Sequence, residues 1–208
     1  KHVTWYCLDL SSSALAEGEN IFLSTAARLR CEPWKIIRVK GEIGTPIKER
    51  ASFVTCANVF NEIVEDFTMP PDYLAKKYCE KILSYVTRNN NDVTKANNVS
   101  ETDDTYPTAN DISTHVLVVE PGVPKSARFI SLLRDALIRR DFTPDAPCTH
   151  CSNCPMDGKK GGKWCNFAFS TDNAPAALKK LSEQSQLPKE RAVLSFVMAS
   201  QCEATVAK

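Results

Sequence analysis

The segment HVLVVEPG, residues 115–122, determines the fold class of this chain. The stretch from His115 to Glu120 is apolar almost throughout, which predicts a strand buried on both faces rather than on one. Pro121 and Gly122 end this strand, and an amphipathic helix is predicted from Ser126 to Arg139. A buried strand that leads into such a helix is typical of α/β proteins.

The same alternation of strands and helices extends through the rest of the chain. Apolar runs predict the strands, and helical periodicity predicts the helices. These are a strand at Val3–Leu10, a helix at Ala14–Leu29, strands at Trp34–Val39 and Ala51–Phe60, a helix at Tyr73–Val86, a polar helix at Ala174–Glu183 and a last strand at Arg191–Ala199. Because apolar strands that alternate with helices form parallel sheets, we predict an α/β fold with helices on both faces of a parallel sheet.

Three regions are predicted along the chain. Residues 1–146 form the α/β domain, residues 147–170 form a Cys-rich loop, and residues 171–208 form a C-terminal helix and strand that complete the sheet. Within the first region, residues 89–113 are rich in Asn, Thr and Asp and carry almost no large apolar side chains. Such a segment has too little apolar surface to offset its ordering entropy, so we expect a flexible, exposed insertion.

Composition and charge limit the classes of partner. No apolar run approaches the ~20 residues that a membrane helix needs, so no membrane partner is expected. The 26 Lys and Arg residues nearly balance the 25 Asp and Glu residues, so any RNA contact has to come from a local basic patch. Lys1 to Asp9 has neither an initiator Met nor the pattern of a signal peptide, which we interpret as a fragment or a trimmed N-terminus.

The nine cysteines fall into two groups. Five are scattered singly, and we interpret them as small buried hydrophobic side chains in a reducing compartment: Cys7, Cys31, Cys56, Cys79 and Cys202. The other four lie together within residues 148–165. A secreted disulfide framework would spread its cysteines through the chain, so the cluster indicates metal binding.

The clustered cysteines have the spacing of a metal site. Cys148, Cys151, Cys154 and Cys165 offer four thiolates in a loop rich in Gly and Pro, and thiolates bind iron–sulfur clusters or zinc. Two Cys-x2-Cys steps and one distant cysteine favour a 4Fe–4S cluster, since zinc sites more often show two separated pairs. His150 either replaces one thiolate or is an exposed loop histidine.

Polar residues at the strand ends are candidates for binding a cofactor, because ligands of doubly wound sheets bind beyond the carboxyl ends of the strands. Asp9 either accepts hydrogen bonds from a ribose diol or caps the following helix. Asn58, Asn61 and Glu62 either contact a cofactor or cap the next element. Glu120 closes the fourth strand. A Gly-rich loop of the kind that follows the first strand of such folds is missing.

Basic residues form a third group. Four arginines lie on or just after the helix that follows residue 122, and three lysines lie beside Trp164 in the Cys-rich loop: Arg128, Arg134, Arg139, Arg140, Lys159, Lys160 and Lys163. A lysine-rich loop beside an aromatic side chain is either an RNA backbone contact or a solvated charged loop.

Several of these motifs occur together in one known family. They are CLDLS at 7–11, Asn61-Glu62, VVEPG at 118–122 with Arg134-Asp135, Pro147-Cys148, His150, Cys154-Pro155, Trp164-Cys165-x-Phe167, and Lys189-Glu190 through Ser195-Phe196. On these residues the chain resembles the ribosomal methyltransferase-like family that includes the mitochondrial small-ribosomal-subunit protein of yeast and its bacterial relatives. Thr149 and Asn166 depart from that pattern.

The resemblance implies a S-adenosylmethionine-methyltransferase-like (Rossmann-like) sheet, N-terminally incomplete, with a Cys-rich metal-binding loop. It implies a protein that binds small-subunit ribosomal RNA and ribosomal proteins in ribosome assembly or translation, in the mitochondrial matrix or the bacterial cytoplasm. The alternative is an active S-adenosylmethionine-dependent RNA methyltransferase. In relatives the fourth cluster ligand comes from further along the chain, so Cys151, Cys202 or a residue outside the chain takes that place here.

Overall fold

The computed structural model describes residues 3–31, 33–65, 69–86, 113–159, 162–187 and 190–201, with only the backbone described at residues 64 and 65. The predicted insertion at 89–113 lies outside these ranges except for Ser113, and Cys202 also lies outside them. No helix within these ranges is both long enough and apolar enough to cross a membrane.

Strands and helices alternate through most of the described chain. In order they are β1 (Thr4–Asp9), α1 (Ser12–Arg28), β2 (Lys35–Lys40), β3 (Phe53–Ala57), α2 (Phe60–Glu65), α3 (Pro71–Leu83), β4 (Thr114–Pro121), α4 (Pro124–Ile138), β5 (Thr143–Ala146), β6 (Phe167–Ser170), α5 (Ala176–Gln184) and β7 (Arg191–Gln201). Each strand and helix expected from the sequence is present, with ends shifted by a few residues. The short elements α2, β5 and β6 are additions to that prediction.

The chain divides into two compact units, and the first comprises Lys1–Arg50 with Lys81–Tyr85. Here β1 and β2 pair in parallel, from Thr4 opposite Lys35 to Asp9 opposite Lys40. An aromatic cluster joins helix α1 to these strands, because the Trp5 ring lies 4.9 Å from Phe22 and 5.6 Å from Trp34. The residues of β1 are half-buried or exposed.

The second unit comprises Ala51–Glu80 and Val86–Lys208 and holds a mixed sheet. Its strands run in the order β3-β4-β7-β5, and β6 also pairs with β7. Strands β3 and β4 are parallel, but β7 is antiparallel to β4, β5 and β6. The expectation of a parallel sheet is therefore wrong for β7. An apolar strand buries its side chains equally well in either direction, so its composition carries no information about direction.

Helix α4 packs against one face of this sheet and forms the core of the second unit. Val116 and Val118 of β4 are fully buried, as are Leu133 and Leu137 of α4. The Phe60 ring stacks on Phe129 at 4.8 Å, which fixes the start of α2 against α4. As a result the carboxyl ends of β3 and β4 meet the first turns of α2 and α4.

Candidate functional site

The Cys-rich loop connects strands β5 and β6, which both pair with β7. Ala146 at the end of β5 pairs with Met198 of β7, and Phe167 at the start of β6 pairs with Leu194 of β7. These two points on β7 are four residues apart, or about 13 Å along a strand. Cys148 and Cys165 follow and precede these paired residues closely, so strand pairing brings the two ends of the loop near each other.

A small hairpin folds the second half of the loop back on itself. The Cys165 amide donates to the Met156 carbonyl oxygen at 3.3 Å, and Asp157 bridges to Trp164. Gly158 follows the bridging residue Asp157 with φ +69°, and a Cβ added there would meet the Arg128 Cβ at 3.0 Å. Glycine is required at this position because its backbone is left-handed and lies directly against helix α4.

Three side-chain hydrogen bonds attach the loop to the second unit. The Trp164 indole donates to the Gly122 carbonyl oxygen at 3.0 Å. The Ser195 hydroxyl donates to the Cys165 carbonyl oxygen at 2.7 Å. The buried Arg134 guanidinium donates to the His150 carbonyl oxygen. The loop is therefore held at its beginning by α4 and at its end by β7 and the β4–α4 turn.

Three of the four clustered thiols lie in a shared environment. Cys148, Cys154 and Cys165 are half-buried, whereas Cys151 is exposed. Burial raises the pKa of the Cys165 thiol, and the neighbouring Cys154 and Cys148 thiols raise that pKa further. The chemistry of these three thiols suits a thiophilic metal.

The ligand shell of a metal site is not closed around these thiols. Within the described ranges, no three His, Cys, Asp or Glu side chains converge in an arrangement that would hold a metal ion. The eight cysteines described there are all free thiols. Metal binding by Cys148, Cys151, Cys154 and Cys165 therefore stays a prediction.

The singly placed cysteines match the sequence analysis in part. Cys79 is buried, Cys7 and Cys56 are half-buried, and Cys31 is exposed, which is not the expected burial. Burial, with a smaller effect from the Glu120 charge, raises the pKa of the Cys56 thiol to about 12. A thiol with such a pKa is unreactive near neutral pH.

Glu120 is the centre of the polar network at the ends of β3 and β4. One carboxylate oxygen accepts from the Val59 amide at 2.9 Å and from the Phe60 amide at 2.8 Å, and the other accepts from the Asn61 amide at 2.9 Å. Burial raises the pKa of Glu120, although the three amide hydrogen bonds lower it. The carboxylate therefore caps the N-terminus of α2. The sequence shows only an acidic residue at the end of an apolar strand, so this role could not be predicted from it.

Asn58 and Asn61 belong to the same network. Asn58 has a left-handed backbone, φ 55°, and its amide donates to the Val119 carbonyl oxygen at 2.9 Å. In the orientation that satisfies both acceptors, the Asn61 side-chain amide donates to Glu120 at 3.1 Å and to the Asn58 carbonyl oxygen at 2.9 Å. Both residues thus help to shape the start of α2, and a cofactor contact by them stays a prediction.

The other two candidate cofactor residues are exposed. Asp9 lies in the first unit, where its carboxylate accepts from the Ser11 amide at 2.7 Å, and Ser11 caps helix α1. Glu62 lies in the first turn of α2, in the second unit. The structure therefore brings Asn58 and Asn61 together and gives Asp9 a hydrogen bond at a helix start.

A pocket of about 110 Å³ opens beside this network, and we call it the β4–α4 pocket. Its lining combines aromatic and aliphatic carbon with amide, hydroxyl and ammonium groups. The lining residues are Phe60, Asn61, Glu120, Pro121, Val123, Lys125, Ser126 and Phe129. The sequence analysis did not identify it, because its walls come from two strand ends far apart in sequence.

The basic residues differ in how exposed their side chains are. The Arg134 side chain is buried and pairs with Asp135 at 3.2 Å, and Arg140 pairs with Glu80 at 2.7 Å. Lys159 pairs with Asp157 at 2.7 Å, and hydrogen bonds from Lys159 lower the pKa of the Asp157 carboxyl. Lys160 lies outside the described residues. Lys163 is exposed to solvent, and the exposed Lys159 carries its charge beside the Asp157 carboxylate.

The fold and the site define an α/β protein with a thiol-rich loop held against a mixed sheet. A family model described as mitochondrial small ribosomal subunit Rsm22 matches residues 78–208, more than half of the chain, and the chain belongs to this family. The match includes the Cys-rich loop, Glu120 and β7, but not Asp9, Asn58, Asn61 or Glu62. A comparison with individual curated proteins finds no match. The resemblance to a mitochondrial small-ribosomal-subunit family is confirmed. Its bacterial relatives and its methyltransferase-like character stay predictions.

Proposed function

We propose that this protein binds the RNA of the mitochondrial small ribosomal subunit, alongside ribosomal proteins in the matrix, during ribosome assembly or translation. The observation that carries the proposal is the anchored hairpin of the Cys-rich loop. The Lys159 side chain in this hairpin is 73% exposed, and Lys163 is also exposed. Trp164, whose indole donates to Gly122, is 37% exposed. Cations beside an exposed indole are suited to phosphates and to an unstacked base.

The proposal depends on the hairpin being rigid, because a preformed surface loses less entropy on binding. The indole hydrogen bond to Gly122 and the contact of Gly158 with helix α4 hold the hairpin at two points. The near-neutral net charge of the whole chain is compatible with such a local surface.

A charge-deletion experiment tests the RNA proposal. We expect the double variant Lys159→Gln/Lys163→Gln to bind small-subunit ribosomal RNA more weakly and to lower the slope of log affinity against log salt by about 2. The matched control is Lys35→Gln/Lys40→Gln, which removes two exposed charges from the first unit. Equal affinities and equal salt slopes for the two double variants would contradict the proposal.

We also propose that the loop holds a metal centre on Cys148, Cys154 and Cys165, with Cys151 as the fourth ligand. The support is the shared environment of three half-buried thiols in a loop that three side chains attach to the second unit. Cys151 is an exposed thiol of the same loop, which favours it as the fourth ligand. A 4Fe–4S cluster is preferred over zinc on the cysteine spacing.

When bound, such a centre would cross-link the two halves of the loop, because metal binding is coupled to local folding. We expect Cys148→Ser and Cys165→Ser to lose the metal and to increase proteolysis within residues 147–166. Cys31→Ser is the matched control, since Cys31 is an exposed thiol in the first unit. Unchanged metal content in both loop variants would exclude these ligands.

A second candidate function is S-adenosylmethionine-dependent RNA methyl transfer. It is favoured by the position of Asn58 and Asn61 at the carboxyl ends of parallel strands, where ligands of open α/β sheets bind. Because fold alone does not establish activity, this candidate needs a direct binding measurement. We expect calorimetry to show S-adenosylmethionine binding that Asn58→Gly weakens and the exposed Glu183→Gln leaves unchanged, since glycine also tolerates the left-handed backbone at residue 58. Absence of binding, or equal binding by both variants, would exclude Asn58 as a cofactor ligand.

A further inference from the structure

Arg134 carries an unsatisfied hydrogen-bond donor beside the Cys-rich loop. Its side chain is 7% exposed, and its Nε atom is buried with no hydrogen-bond partner in the described part of the chain. Buried polar groups are normally hydrogen-bonded, and a buried charge is costly unless it is paired and hydrogen-bonded. The unpaired Nε–H therefore indicates an acceptor beyond the described protein atoms.

The other two guanidinium nitrogens of Arg134 have partners. Nη1 donates to the Asp135 carboxylate at 3.2 Å, and Nη2 donates to the His150 carbonyl oxygen. The Asp135 side chain is 33% exposed, so solvent weakens its attraction for the buried guanidinium. This carboxylate thus compensates the positive charge of Arg134 only in part.

The planar shape of the guanidinium gives the direction of the unpaired donor. Nε–H and the Nη2 group lie along the same edge of the guanidinium, so both point to one side. Because Nη2 reaches the backbone of His150, Nε–H is directed at the same part of the Cys-rich loop. His150 lies two residues after Cys148 and one residue before Cys151, about 4 to 8 Å along the chain. The missing acceptor therefore belongs near these two cysteines.

A metal centre on thiolates offers both the acceptor and the charge that Arg134 lacks. Sulfur atoms of such a centre accept hydrogen bonds, and groups outside the ligand set that make them strengthen metal binding and tune the metal. Four thiolates around zinc or around a 4Fe–4S core keep a net negative charge. A buried guanidinium compensates that charge and makes a charge-assisted hydrogen bond to it.

We propose that Arg134 is a positioning residue of the metal centre, whose Nε–H donates to a sulfur atom of the centre while Nη2 holds the His150 carbonyl oxygen. This inference rests on the metal centre proposed above. It gives Arg134 two actions, one on the loop backbone and one on the sulfur ligands. The two can be measured separately, because the first also operates in the metal-free protein.

The variant Arg134→Lys separates the two actions. A lysine keeps the positive charge and can donate to the His150 carbonyl oxygen, but it lacks the planar fork that directs a second N–H at the sulfur. With full-length protein purified without oxygen, we expect this variant to lose its metal to a chelator about tenfold faster than the wild type. The metal-free forms of the two proteins should be cleaved by protease within residues 147–166 at equal rates. Arg139→Lys, at the exposed end of the same helix, is the matched control and should equal the wild type in both measurements.

A second variant, Arg134→Met, removes both actions, so it should lose its metal faster and also be cleaved faster without metal. Metal retention by Arg134→Lys equal to that of the wild type would overturn the proposal and leave the metal centre in place, with an ordered water as the partner of Nε. Metal loss from both variants only in proportion to faster cleavage of their metal-free loops would also overturn it, because Arg134 would then act on the backbone alone. Absence of metal from the wild type would overturn the proposed centre together with this inference.

Discussion

Replacing Glu120 with alanine removes the carboxylate that caps helix α2. In the structure this side chain accepts from three backbone amides, at 2.8 to 2.9 Å, and from the Asn61 side-chain amide at 3.1 Å. Glu120 itself is 1% exposed, so water cannot easily replace it. We expect Glu120→Ala to lower the free energy of unfolding and to release the start of α2.

The magnitude follows from how deeply each donor is buried. Phe60 is 1% exposed, and an unsatisfied buried amide costs about 2 kcal/mol. The Val59 and Asn61 amides are part-buried and recover hydrogen bonds to water, so each costs about 1 kcal/mol. The removed carboxylate no longer has to be desolvated, which returns part of this cost. A net loss of about 3 kcal/mol is expected.

Urea unfolding at neutral pH, followed by far-ultraviolet circular dichroism, measures this loss. Glu62→Ala is the matched control, since it removes an exposed carboxylate from the same helix and should change stability by less than about 0.5 kcal/mol. A change below about 1 kcal/mol for Glu120→Ala would refute the capping role. So would a loss of similar size in both variants.

Three further perturbations follow from single contacts. Gly122→Ala places a Cβ 2.4 Å from the Val193 Cγ1, and we expect it to lower the free energy of unfolding, measured by thermal unfolding, by about 2 kcal/mol. Gly18→Ala is the control, because Gly18 has open space around it and the substitution should be neutral or stabilising. Arg134→Met removes the donor to the His150 carbonyl oxygen, so we expect faster proteolysis of the Cys-rich loop. Arg139→Met changes an exposed residue and should leave the cleavage rate unchanged. Equal cleavage rates for the two variants would contradict this prediction. Burial raises the pKa of Glu120 in the folded state, so the part of the stability that depends on its protonation is greatest at low pH and is lost as pH rises through the folded pKa, whereas the hydrogen bonds from the three amides remain. The stability of the wild type relative to Glu120→Gln should therefore shrink as pH rises from about 4.5, and a difference that grows with pH would contradict the shift.

Sequence patterns predicted the elements that form the core of the second unit. Strand β4 is apolar almost throughout, with residues that alternate between buried and half-buried, and the apolar residues of helix α4 repeat with a helical period. The four-residue strands β5 and β6 were missed because they are too short for a pattern, and β5 also contains Pro144. The direction of β7 was missed because strand composition is the same in either direction.

The candidate site was also predicted only in part from the sequence. Cysteine spacing alone located the Cys-rich loop, since thiolates so close in sequence are rare outside metal sites. The groups that hold the loop are distant in sequence: Trp164 reaches Gly122 across 42 residues and Ser195 reaches Cys165 across 30. Such tertiary hydrogen bonds leave no local pattern. Glu120 was recognised as a strand end, but its capping of α2 depends on a helix 60 residues away.

Sedimentation with mitochondrial small ribosomal subunits tests the central proposal most directly. The wild type, Cys165→Ser and the control Cys31→Ser would each be purified without oxygen, and their metal content and sedimentation with the subunit would be compared. We predict that the wild type and Cys31→Ser sediment with the subunit and carry metal, whereas Cys165→Ser loses the metal and most of the association. Sedimentation of all three to the same extent would contradict a role for the metal-bound loop. Absence of the wild type from the subunit fraction would contradict the ribosomal function itself.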